Sequence, residues 1–295
     1  MLQARTIALT LLAMIAFAAN SVLCRIALKH TTIDAASFTT IRLMSGAVML
    51  WLVVSLRGGA RSGAGNWPSA LALFVYAAGF SFAYVSLPTA TGALLLFGAV
   101  QITMMGHGIW TGERMHRWQV CGFILAFAGL IGLLMPGLSA PSLQGAVLML
   151  CAGIAWGIYS LRGKGAGDPI RVTAGNFLRT VPIALILGLW RFKDMSLDHT
   201  GVGYAIASGA LASGIGYAIW YSVLPMLKAT TAATVQLSVP LIAAVGGVAL
   251  LAEPVTLRLA LASVAVLGGI ALVILQGPVK GDRRINPDNS ARRAQ

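Results

Sequence analysis

The sequence predicts an all-α integral membrane protein: ten transmembrane helices built as two inverted five-helix repeats, with both termini in the cytoplasm. Three observations carry that expectation. Of 295 residues, 58% are hydrophobic and only 10% charged, whereas soluble domains carry about 25% charged residues. A soluble fold of this size still leaves much of its surface wet, so it could not hide so much apolar area. Next, no Asp, Glu, Lys or Arg occurs from Ser62 through Gly112, nor from Trp118 through Leu161. A bilayer core about 30 Å thick takes ~20 helical residues, so each run holds two spans. Inside lipid every backbone amide must be satisfied, and without the alternation of barrel strands these runs must be helices. The third observation is an internal repeat, set out below.

In chain order the expected spans lie near 5–28, 35–56, 67–87, 92–111, 117–135, 143–162, 172–191, 201–224, 230–251 and 256–276. Turn residues separate them: Gly58-Gly59, Pro88, Pro136-Gly137, Asp168-Pro169 and Pro225. The segment 278–295 is polar and basic, and reads as a disordered cytoplasmic tail. Arg5, Arg57, Arg61, Arg114, Arg117, Arg162, Lys164, Arg171, Lys228 and the tail cations then fall on one side. Only Arg25, Lys29, Arg191, Lys193 and Arg258 fall on the other. The positive-inside rule makes the richer side cytoplasmic. The same rule accounts for the net charge of +13 without nucleic acid as a partner. Cys24, Cys121 and Cys151 lack metal-type spacing and read as small core residues.

The repeat divides the chain into 1–137 and 138–277. Ile15-Ala16-Phe17…Ser21…Arg25 matches Ile154-Ala155-Trp156…Ser160…Lys164, and Thr40-Ile41-Arg42-Leu43 answers Phe177-Leu178-Arg179-Thr180. Tyr84-Val85-Ser86-Leu87-Pro88 answers Tyr221-Ser222-Val223-Leu224-Pro225, and Thr91…Ala93…Glu113…Gly129 answers Thr231…Ala233…Glu253…Gly269. The first span, which otherwise looks like a signal peptide ending at Ala16-Phe17-Ala18, has a partner in the second half and is read as structural. Five spans per half is an odd number, so the second half enters the membrane upside down. Inverted repeats place a substrate site at their interface near the midplane, with rocking about it.

These residues resemble the EamA-type members of the drug/metabolite transporter superfamily. The marks are the Tyr-x-x-x-Pro turn in each half, the Thr-rich start of the next helix, and the loops Gly112-Glu113-Arg114 and Ala252-Glu253-Pro254. The resemblance spans roughly residues 8–276. It implies a ten-helix fold and export of small metabolites, often amino acids, with YddG-like amino-acid exporters the nearest branch.

Candidate site residues follow from cost. An Arg in hydrocarbon costs several kcal/mol unless it faces protein or water, so Arg42 and Arg179 are expected to point inward, where a guanidinium suits a carboxylate; snorkelling is the structural alternative. Trp156 and Tyr159 share a helix face and could stack an apolar group, with Asn20 orienting a polar one. Tyr76, Tyr84, Gln101, Tyr217, Tyr221 and Gln236 are further polar groups within spans, serving either the path or helix–helix hydrogen bonds. Glu113 and Glu253 are expected to cap the helix that follows each of them, or to gate by ion pairs. His107 is a lesser candidate for proton transfer.

All eight carboxylates fall in loops, span ends or the tail. That predicts no strict proton coupling, since proton antiport relies on a buried carboxylate. The expected function is a secondary transporter exporting small metabolites across the inner membrane by alternating access. Aromatic or other neutral amino acids come first. A proton-coupled exporter of cationic drugs is the alternative, and an intramembrane enzyme is disfavoured because no catalytic motif is found. No metal or cofactor is expected, and a monomer suffices because the two halves supply both faces of a site.

Overall fold

The computed structural model describes residues 2–58, 65–111, 117–135, 137, 140–163, 168–227 and 235–276. Glu113 and the tail 278–295 lie outside the described residues. Ten helical segments follow in order: α1 (Leu2–His30), α2 (Ala35–Leu56), α3 (Trp67–Tyr84), α4 (Thr89–Trp110), α5 (Arg117–Leu134), α6 (Leu143–Gly163), α7 (Pro169–Trp190), α8 (His199–Val223), α9 (Ser238–Leu251) and α10 (Leu257–Gln276). The first eight are long and apolar enough to cross a membrane; α9 and α10 contribute shorter apolar helices. The expected ninth span, 230–251, starts later because residues 228–234 lie outside the described set. Among the described residues there is no strand.

Local sequence starts these helices. Asp34, Asn66, Asp168 and Asp198 sit at the N-caps of α2, α3, α7 and α8, each accepting backbone N–H groups of the first turn. Proline follows two of them inside the first turn, where its missing N–H costs nothing. Pro240, which falls within the expected ninth span, likewise stands in the first turn of α9 and not in a helix interior, whereas Pro182 lies inside α7.

Helices of the two halves pack in matched pairs. α2 lies on α7, α4 on α9 and α5 on α10, while α3 on α6 mirrors α8 on α1, and α4 on α6 mirrors α9 on α1. Close approach is bought by small residues: a side chain at Gly153 of α6 would meet Ala99 of α4 at 2.6 Å. The outer surface is apolar, with Trp110, Leu189 and Val264 exposed, as a lipid-facing surface requires. Cys24 is buried, but Cys121 and Cys151 are exposed on the outside of the bundle. The expectation of three core cysteines is corrected for those two, because sequence alone does not distinguish a lipid-facing position from a core one.

Candidate functional site

α8 is regular at both ends but π-helical from Ala207 to Ile215. Such segments are rare and frequently mark functional sites. Here the π segment lies against α2, and Gly209 permits it: a Cβ there would collide with the backbone carbonyl of Arg42 and the hydroxyl of Ser45. The same segment brings Ser208 to Asn20 and sets Ala212 and Ser213 on the wall of a cavity between the halves.

That cavity is also lined by Phe17, Asn20 and Ser21 of α1, Tyr76 and Phe80 of α3, Leu96 and Phe97 of α4, Trp156 of α6, Tyr217 of α8, and Gln236. Its volume is about 20 Å³, enough for water but not for an organic solute. One wall is aromatic. Trp156 lies 4.7 Å from Tyr76 and 5.2 Å from Tyr217, ring centre to ring centre, and Phe17 meets Tyr217 edge-on at 5.6 Å. Contacts of this kind contribute about 0.5–1.5 kcal/mol each beyond burial.

The other end is polar. Ser208 Oγ donates to Asn20 Oδ1 at 2.6 Å, Asn20 Nδ2 donates to Tyr76 Oη at 3.3 Å, and Arg42 Nη2 donates to the same hydroxyl at 3.1 Å. Arg42 is 2% exposed. Its guanidinium lies over the rings of Phe80 and Tyr76, 4.7 Å and 5.3 Å from their centres, an arrangement that stabilises a buried cation. Its Nη1 has no hydrogen-bond partner among the described residues, nor does Ser213 Oγ. Arg42 thus stands directly behind the cavity wall.

Two polar clusters flank the cavity. On one side Tyr159, Arg162, Asn176 and Tyr221 line a second small cavity. Asn176 Oδ1 accepts the Asn66 N–H at 2.9 Å, Asn176 Nδ2 donates to Tyr159 Oη at 3.4 Å, and Arg162 donates to Ser69 Oγ and Asn66 Oδ1. Tyr159 stacks on Trp156 at 5.4 Å, so Trp156 separates the two cavities. On the other side Arg25 Nε meets Glu253 Oε1 at 3.2 Å, and its Nη1 donates to the carbonyls of Tyr84 and Val85. Glu253 Oε2 accepts the Thr89 N–H at 2.7 Å. Pro88, the N-cap of α4, offers no capping side chain, so Glu253 supplies it from the other half. Ala252 turns the chain there with a left-handed φ of 51°, a strained conformation for a non-glycine residue.

Of the expected site residues, Asn20, Tyr76, Trp156, Tyr217 and Gln236 line the central cavity, and Tyr159 and Tyr221 line the second. Four of the expected residues stand outside both cavities. Arg179 bonds the carbonyl of Gly175 in its own helix and lines neither cavity, because it stands on a half-buried face of α7. Tyr84 is fully buried in the α3–α4 turn, its hydroxyl on the Thr89 carbonyl. Gln101 is buried on α4 away from both cavities. Glu253 caps α4 in place of the helix after it and forms the ion pair with Arg25 that was its alternative, since the left-handed turn aims it across the halves. His107 is exposed on α4. Phe17, Phe97, Ser208, Ser213 and Asn176 were not singled out. Phe17 carried a signal, being the repeat partner of Trp156; the apolar Phe97 and small serines did not. Among the described residues no cluster of His, Cys, Asp or Glu could hold a metal.

A polytopic helical bundle with a polar, aromatic-walled cavity between paired halves defines a membrane transporter. The chain belongs to the EamA-like transporter family, which matches residues 4–135 and 143–275. It is 56% identical to an uncharacterized protein of Pseudomonas aeruginosa over 86% of this chain and 89% of that one. It is 27% identical to an uncharacterized transporter of Archaeoglobus fulgidus over 83% and 88%. A threonine/homoserine exporter, RhtA of Escherichia coli, is 36% identical over 45% of this chain and 46% of its own length. One solved crystal structure shares the fold at a TM-score of 0.65 and 18% identity, covering 91% of this chain and 98% of that one.

Proposed function

We propose that this transporter exports small neutral amino acids or similar metabolites across the inner membrane, with both termini cytoplasmic, by alternating access about the central cavity. The observation that carries the reading is that cavity. It is the one place among the described residues where a buried cation, paired amide and hydroxyl groups, and an aromatic wall converge from both halves. The helix pairing, unchanged when the halves are exchanged, supports an inverted repeat with its boundary near residue 137. The polar clusters on either side of the cavity are read as the two barriers that alternating access requires. Export of threonine and homoserine by a partial relative favours amino acids over cationic drugs, and Arg42 disfavours a cationic ligand. The central cavity holds no carboxylate among its lining residues, which favours transport down a gradient without proton exchange. A monomer is sufficient for such a site.

Counterflow in proteoliposomes tests this. Vesicles loaded with individual unlabelled amino acids should take up the labelled compound saturably, at the same rate with and without a pH gradient. No exchange by folded protein for any amino acid would sink the substrate class, and collapse of transport on removing a pH gradient would sink the uncoupled mechanism.

A further inference from the structure

Resting on the central cavity as the substrate path, we infer that it recognises its ligand by a carboxylate and does not require an amino group. The ligand class is organic monocarboxylates with an apolar or aromatic body, amino acids being one subset.

A phenol oxygen can accept two hydrogen bonds and donate one. Tyr76 Oη accepts from both Arg42 Nη2 and Asn20 Nδ2, so its own O–H remains to donate, and Tyr76 lines the cavity. The distances fix the Asn20 amide: 2.6 Å to Ser208 suits O–H···O, and 3.3 Å to Tyr76 suits N–H···O. The Asn20 oxygen therefore accepts from Ser208 and keeps one further lone pair, and its amide keeps one further N–H. Ser213 Oγ lines the cavity without a partner among the described residues, and Arg42 Nη1, behind the wall, likewise has none.

The polar end thus offers O–H and N–H donors backed by a buried cation. A carboxylate is acceptor-only and makes its strongest hydrogen bonds to such donors. An ammonium brings three donors and needs acceptors. The acceptors on the wall, a second lone pair of Asn20 Oδ1 and the oxygens of Ser21, Ser213, Tyr217 and Gln236, are all neutral. The lining residues hold no carboxylate to balance an ammonium, and the Arg42 cation, over the faces of Tyr76 and Phe80, repels one. Phe17, Trp156 and Tyr217 suit the apolar body, and they set no demand for an amine.

Matched ligand sets read this directly, and because weak acids and amines leak through bilayers, binding is measured in place of flux. The purified full chain in lipid nanodiscs is titrated by calorimetry with phenylalanine, 3-phenylpropanoate and 2-phenylethylamine, then with leucine, 4-methylpentanoate and 3-methylbutylamine. Each acid should bind within about threefold of its amino acid, and each amine roughly tenfold or more weaker. Tyr76→Phe keeps the ring and removes the donor, and should weaken acid and amino acid alike by about tenfold. Binding of the amino acid without the acid, or of the amine as tightly as the acid, would overturn the inference; so would unchanged affinity in Tyr76→Phe. Should amino-acid counterflow proceed while the acids fail to bind, only this inference falls. If counterflow fails for every amino acid, the amino-acid reading beneath it falls as well.

Discussion

Arg42 and Arg179 hold corresponding places in the two halves, yet they end in different surroundings. Arg42 is sealed behind the cavity wall, shared between a tyrosine hydroxyl and two aromatic faces, with one nitrogen unpartnered among the described residues. Arg179 is half-buried and turns back onto a carbonyl of its own helix. The helix pairing is symmetric while the side chains are not. The difference follows from what faces each helix. Arg42 meets Tyr76 and Phe80 across α2–α3, whereas Arg179 Nη1 donates to the Gly175 carbonyl one turn back on α7. Duplication supplied two cations, and packing assigned one of them to the cavity.

The largest expected effect breaks that comparison. Arg42→Ala should reduce counterflow about 10- to 100-fold, since a hydrogen bond to a charged group is worth about 1.5–3 kcal/mol. Arg179→Ala should change it by about twofold or less. Equal losses in the two variants would show that both cations serve the path. Trp156→Ala should follow with about a tenfold loss, because it removes ring contacts to Tyr76, Tyr217 and Tyr159 together; a variant with native exchange would remove Trp156 from the path.

The polar cluster opposite Arg162 extends the contrast to stability. Arg25 and Glu253 are 11% and 7% exposed and tie α1 to the α9–α10 turn and to the start of α4. A thermal-denaturation cycle of Arg25→Ala, Glu253→Ala and the double variant should give a coupling above about 1 kcal/mol. Additive losses would mean the pair does not act as a unit. The smallest effect concerns Asp34. Burial alone would raise its carboxyl, but hydrogen bonds from Ser37, Ser196 and Ala36 outweigh it and hold the group below its ordinary value of 3.8. A depressed carboxyl contributes stability that is complete above that ordinary value and is lost as pH falls through the lower, folded one. Melting temperature should therefore drop between pH 5 and pH 3 more in the native protein than in Asp34→Asn, and parallel drops would contradict the assignment.

Much of this architecture is legible in the residues themselves. The uncharged runs and turn residues place nine of the ten spans within a few residues, because lipid imposes length and apolarity on every helix that crosses it. Asn20, Tyr76, Trp156, Tyr217 and Gln236 stand out as polar or amphipathic groups inside apolar spans, and they do line the cavity. Other features leave no such trace. The π segment Ala207–Ile215 has an ordinary apolar composition, so nothing marks Ser213 as aimed inward. Phe97 at the cavity and Trp110 on the lipid surface are both aromatic residues of α4, and only the packing of neighbouring helices separates their roles. Glu253 reads as a loop residue beside its own helix; its partner Arg25 lies in the other half, and a left-handed turn at Ala252 joins them.

If substrate sits in the cavity between Asn20, Tyr76, Trp156 and Ser213, it should shield that wall from reagents. Introducing Ser213→Cys into a chain carrying Cys24→Ser, Cys121→Ser and Cys151→Ser places one thiol on its wall. Its alkylation by a small maleimide would be followed with and without an amino acid that the same protein exchanges in counterflow. Saturating substrate should slow alkylation several-fold, with half-protection near the transport half-saturation. Alkylation at an unchanged rate, with exchange intact, would place the substrate elsewhere.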